Sequence, residues 1–526
     1  MAEGELALEQ AAMPCVPADL LQSAFSGNRS RVGLVLPDGN SLTIGELEAE
    51  ASRYAQLLSA FPLNARIGVL SRNRAEVVHI LNAIPFSGLC AVPLHPFGSV
   101  EDFAYVTEDA SLDALAFDPD HYCDIAAELA ARFPDLQLFS FGPAQIGIDI
   151  GALAAEVEPQ PLSIRDRDPE AIERLAYSGG TTGRPKGIML SRRALATTYA
   201  IQLSEWEWPA EVRALLCAPL SHSGSALLVP TLHRGGAMYV LDGFDPLAVM
   251  QAIEARRITC TLLVPTMIYA LLDHPRFAEF DLSSLECVYY GASSIIPARL
   301  KEAIARIGPV FFQFYGQSEA PMTVTVMRRS EHDVDDELRL ASCGRPVPWV
   351  RVSLRDDRGR EVADGNPGEV CVQGSLLMSG YVNQPEETAK AIFDGWLRTG
   401  DIAVCDREGF LRIVDRKKDM IISGGFNVFA REVEDALNEH DGVAGCAVVG
   451  VPDAKWGEAV AAVVVRLAGT DVSEADLMAH VRKRKGAVQT PKLIKFVDTI
   501  PLSGLGKPDK NQVRDMFADQ SCGIAQ

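Results

Sequence analysis

The amino-acid sequence predicts an α/β protein: a large N-terminal domain of parallel sheets covered by helices, a small distorted barrel, and a small α+β C-terminal domain. Three observations lead to this prediction. Over most of the 526 residues, short apolar runs alternate with amphipathic helical patterns. Beyond about Arg351 the runs shorten and turn signals separate them. From about Asp415 onward, helical and strand patterns are compactly mixed.

The N-terminal alternation is clearest between residues 213 and 316. Strand-type runs occupy residues 213–220, 259–265, 285–291 and 309–316, and helical patterns occupy residues 246–257 and 296–308. Strands connected through helices pair in parallel, and their sheets are covered on both faces. Residues 77–100 lack Lys, Arg, Asp and Glu, but three prolines interrupt them, so we expect a buried helix and strand rather than a membrane span.

Past Arg351, turn sequences such as Asp-Gly-Asn-Pro-Gly lie between short alternating runs, which predicts hairpins in a small barrel or distorted sheet. A highly charged run then interrupts two apolar segments. We place a hinge there, at residues 416–419. The predicted domains are therefore residues 1–415 and a mobile C-terminal domain over residues 420–526.

Composition narrows the functional classes. The formal net charge of −21 disfavours nucleic-acid binding, which needs a basic surface, although a local basic pocket could bind an anionic ligand. The eleven cysteines are scattered and form no CxxC motif, as expected for reduced thiols in a cytoplasmic protein. The acidic N-terminus does not resemble a signal peptide. The sequence does not indicate the oligomeric state, and a homodimer is the assembly that we consider.

The strongest local motif is YSGGTTGRPKG, from Tyr177 to Gly187. Glycines let backbone N–H groups converge on an anion, hydroxyl groups add donors, and Lys186 adds positive charge. The motif therefore suits phosphate binding. It is not a Walker loop, because Lys186 lies between Pro185 and Gly187. The five residues Gly-Gly-Thr-Thr-Gly, at 179–183, would indicate only a glycine-rich turn if they stood alone.

This motif resembles the phosphate-binding loop of the adenylate-forming superfamily, which includes acyl-CoA synthetases, firefly luciferase and nonribosomal peptide synthetase adenylation domains. Gly179 departs from the family pattern, where serine is usual, and removes one hydroxyl group. The resemblance implies that ATP is a substrate. The implied ATP-binding residues in this loop are Ser178, Gly180, Thr181, Thr182 and Gly183, with Lys186 as a catalytic residue.

Further matches follow in the family's order. Tyr315-Gly-Gln-Ser-Glu319 resembles the family's YGxTE motif, which implies nucleotide contacts from Tyr315 and Ser318. The resemblance implies that Glu319 is catalytic and holds Mg²⁺ on the ATP phosphates; a carboxylate suits this hard cation. Gly291 and Ala292, in a segment that resembles YGGA, would lie near adenine.

The last matches lie after residue 395. Trp396-Leu-Arg-Thr-Gly-Asp401 implies that Asp401 binds the ribose, and the charged run implies that Arg416 contacts the nucleotide. The resemblance assigns the remaining roles as follows: Lys418 is the hinge residue, Gly424 and Gly425 line a tunnel for a thiol, and Lys507, in PLSGLGK, is the catalytic lysine that bridges carboxylate and α-phosphate.

The acyl pocket is implied by weaker matches, of which Pro219-Leu-Ser-His222 resembles the family's PLFH. Its candidate residues are small or apolar, which favours a hydrophobic acid of medium size. They are His222, Gly224, Leu228, Gly316 and Pro321. Amino-acid-activating members usually carry an aspartate just after the PLFH position, and residues 221–224 contain no acid.

The resemblance, over residues 42 to 510, implies an ATP-dependent ligase that forms an acyl-adenylate, releases pyrophosphate and transfers the acyl group to coenzyme A. The main alternative is an amide synthetase that couples the adenylate to an amine or amino acid. A luciferase-type oxygenase shares the same motifs. A non-catalytic nucleotide-binding protein is disfavoured, because every motif lysine, acid and arginine is present.

Overall fold

The computed structural model describes residues 15–178, 185–417, 419–423, 426–453, 456–467, 469–502 and 508–517. By the contacts among its residues, the chain divides into two compact units. The first contains residues 1–351 and 372–397, and the second contains residues 352–371 and 398–526. The domain limits at residues 415 and 420 and the hinge between them stay predictions, because a grouping by contacts does not test where the chain bends.

Helices and strands alternate through most of the described chain. The strands are β1 (Val32–Val35), β2 (Ser41–Thr43), β3 (Arg66–Leu70), β4 (Cys90–Pro93), β5 (Ala114–Phe117), β6 (Gln137–Ser140), β7 (Ile148–Asp149), β8 (Ile172–Ser178), β9 (Lys186–Ser191), β10 (Arg213–Leu216), β11 (Ala237–Val240), β12 (Cys260–Leu263), β13 (Cys287–Tyr290), β14 (Phe311–Gln317), β15 (Ala320–Met327), β16 (Arg345–Pro346), β17 (Val350–Arg355), β18 (Gly368–Gly374), β19 (Gly380–Tyr381), β20 (Ile392–Phe393), β21 (Trp396–Cys405), β22 (Leu411–Arg416), β23 (Ile421–Ser423), β24 (Phe426–Val428), β25 (Val443–Asp453), β26 (Gly457–Arg466) and β27 (Leu493–Phe496). The α-helices are α1 (Pro17–Phe25), α2 (Ile44–Leu58), α3 (Ala75–Ser87), α4 (Val100–Asp109), α5 (Pro119–Arg132), α6 (Ile150–Ala155), α7 (Arg192–Glu205), α8 (Leu228–His233), α9 (Pro246–Arg256), α10 (Pro265–Leu272), α11 (Pro297–Ile307), α12 (Glu337–Leu340), α13 (Pro385–Ala391), α14 (Ala430–Asn438), α15 (Glu474–Lys485) and α16 (Lys510–Asp515).

One sheet of the first unit has nine strands in the order β16-β15-β14-β13-β12-β10-β11-β1-β2. Its inner strands β14, β13, β12, β10 and β11 pair in parallel, as the alternation of strands and helices predicts. β12 and β13 are buried along their whole length. Helices α9, α10 and α11 add Val249, Ile268 and Leu300 to the same hydrophobic core, so strand and helix patterns are satisfied together.

A second sheet of the first unit has eight strands in the order β19-β9-β8-β4-β3-β5-β6-β7. It contains the uncharged stretch at residues 77–100, which forms most of α3, all of β4 and the start of α4. Every residue from Val77 to Leu94 is buried, which confirms the expected buried helix and strand. Among the described residues, no helix combines the length and the apolar character needed to cross a membrane.

Helix starts follow the local sequence. Thr43 and Ser99 each cap a helix and exchange hydrogen bonds with an acidic residue three positions later. Asp245 caps α9, whose first residue is Pro246. Polar caps satisfy backbone N–H groups that have no partner within a helix, so these positions fix where the helices begin.

Two smaller sheets complete the described structure. One orders its strands β17-β18-β21-β20, with β22 paired to β21, and corresponds to the distorted sheet expected past Arg351. The other orders its strands β24-β23-β26-β25, with β27 paired to β26. Helix α14 packs its buried Val433 and Leu437 with Val448 and Val460 of this last sheet. The C-terminal part therefore has the mixed α+β architecture that the sequence predicts.

Candidate active site

The nine-stranded sheet gathers several motif residues at one edge. β10, β12, β13 and β14 run parallel, so their carboxyl ends lie at the same edge. His222 and Gly224 follow β10, Gly291 and Ala292 follow β13, and Tyr315 to Glu319 span the end of β14 and the turn after it. Ligands of open α/β sheets bind at the carboxyl ends of the strands. The motifs at residues 222–224, 291–292 and 315–319 therefore share the edge where a ligand is expected.

The glycine-rich motif links two strands of the eight-stranded sheet. β8 and β9 pair in an antiparallel hairpin whose last pair is Ser178 and Lys186. Lys186 therefore stands at the start of β9, directly after the predicted phosphate loop. Four predicted nucleotide-binding residues and the side chain of Ser178 lie outside the described residues. The four are Gly180, Thr181, Thr182 and Gly183.

Lys186 is engaged by residues of a distant segment. Its Nζ lies 2.7 Å from Oε2 of Glu387, in helix α13, and 5.1 Å from the centre of the Tyr381 ring. Hydrogen bonds from Lys186 and Lys390 lower the pKa of Glu387 to about 2. The Lys186 ammonium group thus contacts both a carboxylate and an aromatic face.

Glu319 lies close to the same tyrosine. It occupies the two-residue turn between β14 and β15, where Gln317 pairs with Ala320. The Tyr381 hydroxyl donates a hydrogen bond to Glu319 Oε1 over 2.9 Å, and the Glu319 carbonyl accepts from the Met378 N–H. Burial, followed by the charge of Glu319, raises the pKa of Tyr381 well above its usual value. Tyr381 therefore joins the predicted catalytic pair, Lys186 and Glu319.

Neither Tyr381 nor Glu387 was expected among the site residues. Tyr381 directly follows Gly380, and this Gly-Tyr pair resembles a Gly-Tyr pair that family members carry at the same place in the motif order. Glu387 is one of two adjacent glutamates in an exposed, acidic start of a helix, which gave no signal. Its role depends on a partner 201 residues away.

Gly291 and Gly316 permit close packing at the carboxyl edge. A Cβ on Gly291 would lie 2.3 Å from the Phe314 carbonyl oxygen, and one on Gly316 would lie 2.8 Å from the Ala320 carbonyl oxygen. Both distances are too short for any larger residue without a backbone shift. Ala292 has a φ of +64° and Met322 a φ of +60°, both left-handed. Strained backbone of this kind is often found at functional sites. Pro321 is buried beside Ala320.

The predicted acyl-pocket segment forms a tight turn after β10. The N–H groups of His222 and Gly224 both donate to the Pro219 carbonyl oxygen, over 3.0 and 3.1 Å. A Cβ on Gly224 would lie 2.2 Å from the Ala218 carbonyl oxygen, so the turn closes only with glycine. A short 3₁₀ turn, Ser223–Leu227, then leads into α8, which begins at the buried Leu228.

His222 is neutral near pH 7. Burial, together with the nearby His95 and Arg174, lowers the pKa of His222 to about 4. Its ring packs edge-on against His95 with 4.6 Å between ring centres, and its Nδ1 lies 3.0 Å from the Ser221 hydroxyl. His95 follows β4, in the other sheet, and no sequence motif marked it. Neutral histidines and small residues suit a largely apolar group.

The second unit contains the predicted ribose-binding residue Asp401 and the predicted nucleotide contact Arg416. Asp401 on β21 lies opposite Arg416 on β22, and Arg416 Nε is 3.1 Å from Asp401 Oδ1. Asp401 is buried, whereas half of the Arg416 side chain is exposed. Asp415, next to Arg416, is also buried, and burial raises its pKa to about 6.

Four predicted residues of the C-terminal region lie outside the described residues. They are the hinge residue Lys418, Gly424 and Gly425 of the predicted thiol tunnel, and the predicted catalytic residue Lys507. The segments on either side are described: Ser423 pairs with Phe426, and Leu502 forms a bridge with Pro508. Within the described chain, no group of three or more His, Cys, Asp or Glu side chains could hold a metal ion.

Comparisons with known proteins agree with the motif order. The family model described as AMP-binding enzyme matches residues 21–382, and the model described as AMP-binding enzyme C-terminal domain matches residues 432–507. A relative from Mycobacterium tuberculosis, named medium/long-chain-fatty-acid–CoA ligase FadD8, is 48% identical over 514 residues, which are 95% of this chain and 89% of that protein.

Two further similarities bear on the acyl acceptor. A feruloyl-CoA synthase from Amycolatopsis sp. is 36% identical over 91% of this chain and 94% of its own length. The solved structure of the amide bond synthetase McbA from Marinactinospora thermotolerans has a TM-score of 0.88 and 36% identity, and the match covers 95% of this chain and 99% of that one. Proteins named for a thioester product and for an amide product are thus both similar to this chain.

Proposed function

Because this chain belongs to the family of AMP-binding enzymes, we propose that it uses ATP to activate a hydrophobic carboxylic acid and transfers the acyl group to coenzyme A. The observation that carries this proposal is the arrangement of Lys186, Tyr381 and Glu319. This arrangement places the Lys186 ammonium group and the Glu319 carboxylate against one tyrosine. Lys186 and Glu319 belong to the two motifs with which the family binds ATP phosphates.

In the first proposed step, a carboxylate oxygen of the acid attacks the α-phosphorus of ATP. The new P–O bond forms as the bond to pyrophosphate breaks, which gives the acyl-adenylate. Two anions must meet, so positive charge is needed where they react. Lys186 supplies charge to the phosphates, and Lys507 is proposed to bridge the carboxylate and the α-phosphate. Asp401 and Arg416 of the second unit are proposed to bind the ribose and α-phosphate.

Magnesium is part of the proposal, because Glu319 suits it. Mg²⁺ usually binds through one or two carboxylates together with substrate phosphates, and a single half-buried carboxylate fits that mode. When bound, the ion would neutralise charge on the departing pyrophosphate. Tyr381, by donating to Glu319 Oε1, fixes the carboxylate and leaves its other oxygen sites to a ligand.

In the second proposed step, the thiol sulfur of coenzyme A attacks the acyl carbonyl carbon. The thiol loses its proton, the C–S bond forms, and AMP leaves as the C–O bond breaks. Gly424 and Gly425 are proposed to line the thiol tunnel. Lys418 is proposed to act as the hinge about which the C-terminal domain rotates, so that Lys507 leaves the active site and the glycine loop takes its place. The relatives named for CoA ligation support this acceptor.

The nature of the acid follows from the proposed pocket. Residues 221–224 carry no acidic group to pair with an amino acid's amine, and His222 is neutral. His222, Gly224, Leu228, Gly316 and Pro321 are therefore proposed to receive an apolar acyl group. Gly291 and Ala292 are proposed to lie along adenine.

Amide synthesis is the second candidate, and the structural similarity to the amide bond synthetase McbA fits it. It shares the adenylation step and differs in the nucleophile. An amine nitrogen would then replace the thiol sulfur in the attack on the acyl carbon. The sequence motifs are the same for thioester and amide synthesis, so only identification of the product distinguishes the two functions.

Location and assembly are further proposals. A cytoplasmic location accords with the ten described cysteines, all of which are unpaired thiols.

A homodimer can be tested by light scattering of the purified protein during gel filtration. A mass of one chain, 56.9 kDa, would overturn it.

The test is pyrophosphate release with ATP, Mg²⁺ and a panel of carboxylic acids, run with coenzyme A, with an amino-acid mixture, and with neither. We expect turnover to rise with coenzyme A and yield a thioester. Turnover that rises only with amines would make the protein an amide synthetase. Absence of acid-dependent release would overturn the proposal.

The matched variant is Lys507→Ala, which should slow adenylation by about 10²- to 10³-fold, the scale of losing one key electrostatic group. Lys301→Ala is its control, because Lys301 lies exposed on α11. An unchanged adenylation rate in Lys507→Ala would remove that residue from the mechanism.

A further inference from the structure

One residue ties together the two segments that place Lys186 beside Tyr381. Asp109 is the last residue of α4. Its Oδ2 accepts a hydrogen bond from the Tyr177 hydroxyl over 2.7 Å. Its backbone carbonyl oxygen accepts one from Asn383 Nδ2 over 3.1 Å, and its Oδ1 accepts a longer one from the same atom over 3.4 Å. Asp109 therefore joins residues that lie 68 and 274 positions away from it in sequence.

Tyr177 is the connection to Lys186. It is next to last in β8 and pairs with Gly187, the residue after Lys186 on β9. A Cβ on Gly187 would lie 2.8 Å from the Tyr177 ring, so the ring packs directly against this strand. Burial, followed by the hydrogen bond to Asp109, raises the pKa of Tyr177 well above its usual value, so the hydroxyl keeps its proton and donates. Asp109 thus fixes the strand pair at the point where Lys186 begins β9.

Asn383 is the connection to Tyr381. It lies two residues after Tyr381, in a left-handed conformation with a φ of +52°, which asparagine adopts more readily than most residues. Val382, between them, donates its N–H to the Gly187 carbonyl oxygen over 2.8 Å. Asp109 therefore also fixes the chain just after β19 ends.

The strand that carries Tyr381 is short and lies at an edge. β19 has two residues and pairs with β9, at one end of the eight-stranded sheet. Its backbone is held further by the Thr388 hydroxyl oxygen, which accepts from the Tyr381 N–H over 2.9 Å. A short edge strand opens more easily than a long inner strand, because fewer contacts hold it. Side-chain anchors on its flanks therefore help to set the distance between Lys186 and Tyr381.

We propose that Asp109 is a positioning residue for the adenylation step and that it acts through Tyr177 and Asn383. By holding both, it keeps Lys186 at the separation from Tyr381 that binding of the ATP phosphates requires. This proposal rests on the proposed function and adds a residue that lies outside every motif named above. Asp109 takes no part in the making or breaking of bonds.

The test is the steady-state kinetics of pyrophosphate release by the full-length enzyme, with ATP and the acid varied in turn. Asp109→Ala should raise KM for ATP about three- to tenfold and lower kcat about tenfold, because a displaced Lys186 meets the phosphates less well. KM for the acid should stay within about twofold, since the anchored strands carry the predicted ATP-binding groups. Glu108→Ala, at an exposed position next to Asp109 on the same helix, is the matched control and should change none of these constants.

Two further variants keep the test independent of folding. Tyr177→Phe removes only the hydroxyl group and should raise KM for ATP about two- to fivefold. Because Tyr177→Phe and Asp109→Ala break the same hydrogen bond, the double variant should be no worse than Asp109→Ala alone. Asp109→Asn keeps an oxygen acceptor for the hydroxyl and the backbone carbonyl for Asn383, so its kcat/KM for ATP should be within about threefold of wild type. Thermal unfolding of each variant checks that folded protein is assayed.

The outcomes separate this proposal from the function itself. Unchanged constants in both Asp109→Ala and Tyr177→Phe would overturn the positioning role and leave the ligase activity standing. An equal rise in KM for the acid and for ATP, with additive effects in the double variant, would make Asp109 a general stabilising residue and would overturn the role as well. Absence of acid-dependent pyrophosphate release by the wild-type enzyme would instead overturn the proposed function, and this proposal with it.

Discussion

Gly224 and Gly291 show how single residues shape the proposed site. A Cβ at either position would meet a backbone carbonyl oxygen, at 2.2 Å for Gly224 and 2.3 Å for Gly291. Backbone cannot rotate away as a long side chain can, so the absence of a side chain is what permits the turn after β10 and the packing of β13 on β14. The position of His222 depends on the turn after β10.

We therefore expect Gly224→Ala to lower the free energy of unfolding by about 1–3 kcal/mol, the usual cost of forcing extra atoms into a packed region. It should also raise KM for the acid, because His222 shifts with the turn. Gly243→Ala is the control, since nothing lies within 4 Å of its added Cβ. Urea unfolding and steady-state kinetics check both effects. If the two variants behaved alike, the close approach would be irrelevant.

At the scale of elements, two connections meet at Tyr381, because the β8–β9 hairpin supplies Lys186 and the β14–β15 turn supplies Glu319. Helix α13 supplies Glu387, which contacts Lys186. In the structure described, Lys186 is hydrogen-bonded to Glu387 over 2.7 Å. A phosphate that recruits Lys186 must therefore compete with a carboxylate, and the two negative charges repel each other.

Glu387→Gln should consequently tighten ATP binding by about two- to fivefold, as expected when a partly exposed ion pair no longer competes. The measurement is the Kd of a non-hydrolysable ATP analogue by calorimetry. Glu386→Gln, at an exposed position on the same helix, should leave Kd unchanged. Weaker binding in Glu387→Gln would mean that Glu387 positions Lys186 for the nucleotide instead of competing for it.

At the scale of the whole molecule, the two units have separate hydrophobic cores. The core of the nine-stranded sheet is built from residues before 341, whereas α14, α15 and the sheet around β26 form another core after residue 420. Separate cores let a C-terminal part move as a body. The proposed two-step reaction uses such a movement between adenylation and transfer.

Lys418→Pro is the substitution that tests this movement. Proline fixes φ, so a rigid hinge should leave adenylate formation within about twofold and slow transfer to coenzyme A about tenfold or more. Pyrophosphate release and thioester formation measure the two steps separately. Lys418→Ala, which removes the side chain without stiffening the backbone, should spare both. Equal loss of both steps in Lys418→Pro would place the hinge elsewhere.

Much of the fold could be predicted from the sequence because its signals are local. The alternation of apolar runs and amphipathic helices predicted the parallel sheets. The prolines at residues 85, 93 and 96 indicated that residues 77–100 form a buried helix and strand and not a membrane span. The motifs that contain Lys186, Glu319 and His222 are likewise contiguous in sequence, and each was recognised from a few adjacent residues. The parallel order of β10, β12, β13 and β14 then brought two of them to one edge.

The sequence by itself determined the family, the α/β class and the motif residues, since each of these depends on neighbouring residues. Only the tertiary structure decided that Tyr381 joins Lys186 to Glu319 and that Glu387 holds Lys186 across 201 residues. The physical reason is that a side chain's partner depends on how distant elements pack. Hydrophobicity and turn propensity at a single position carry no record of that partner.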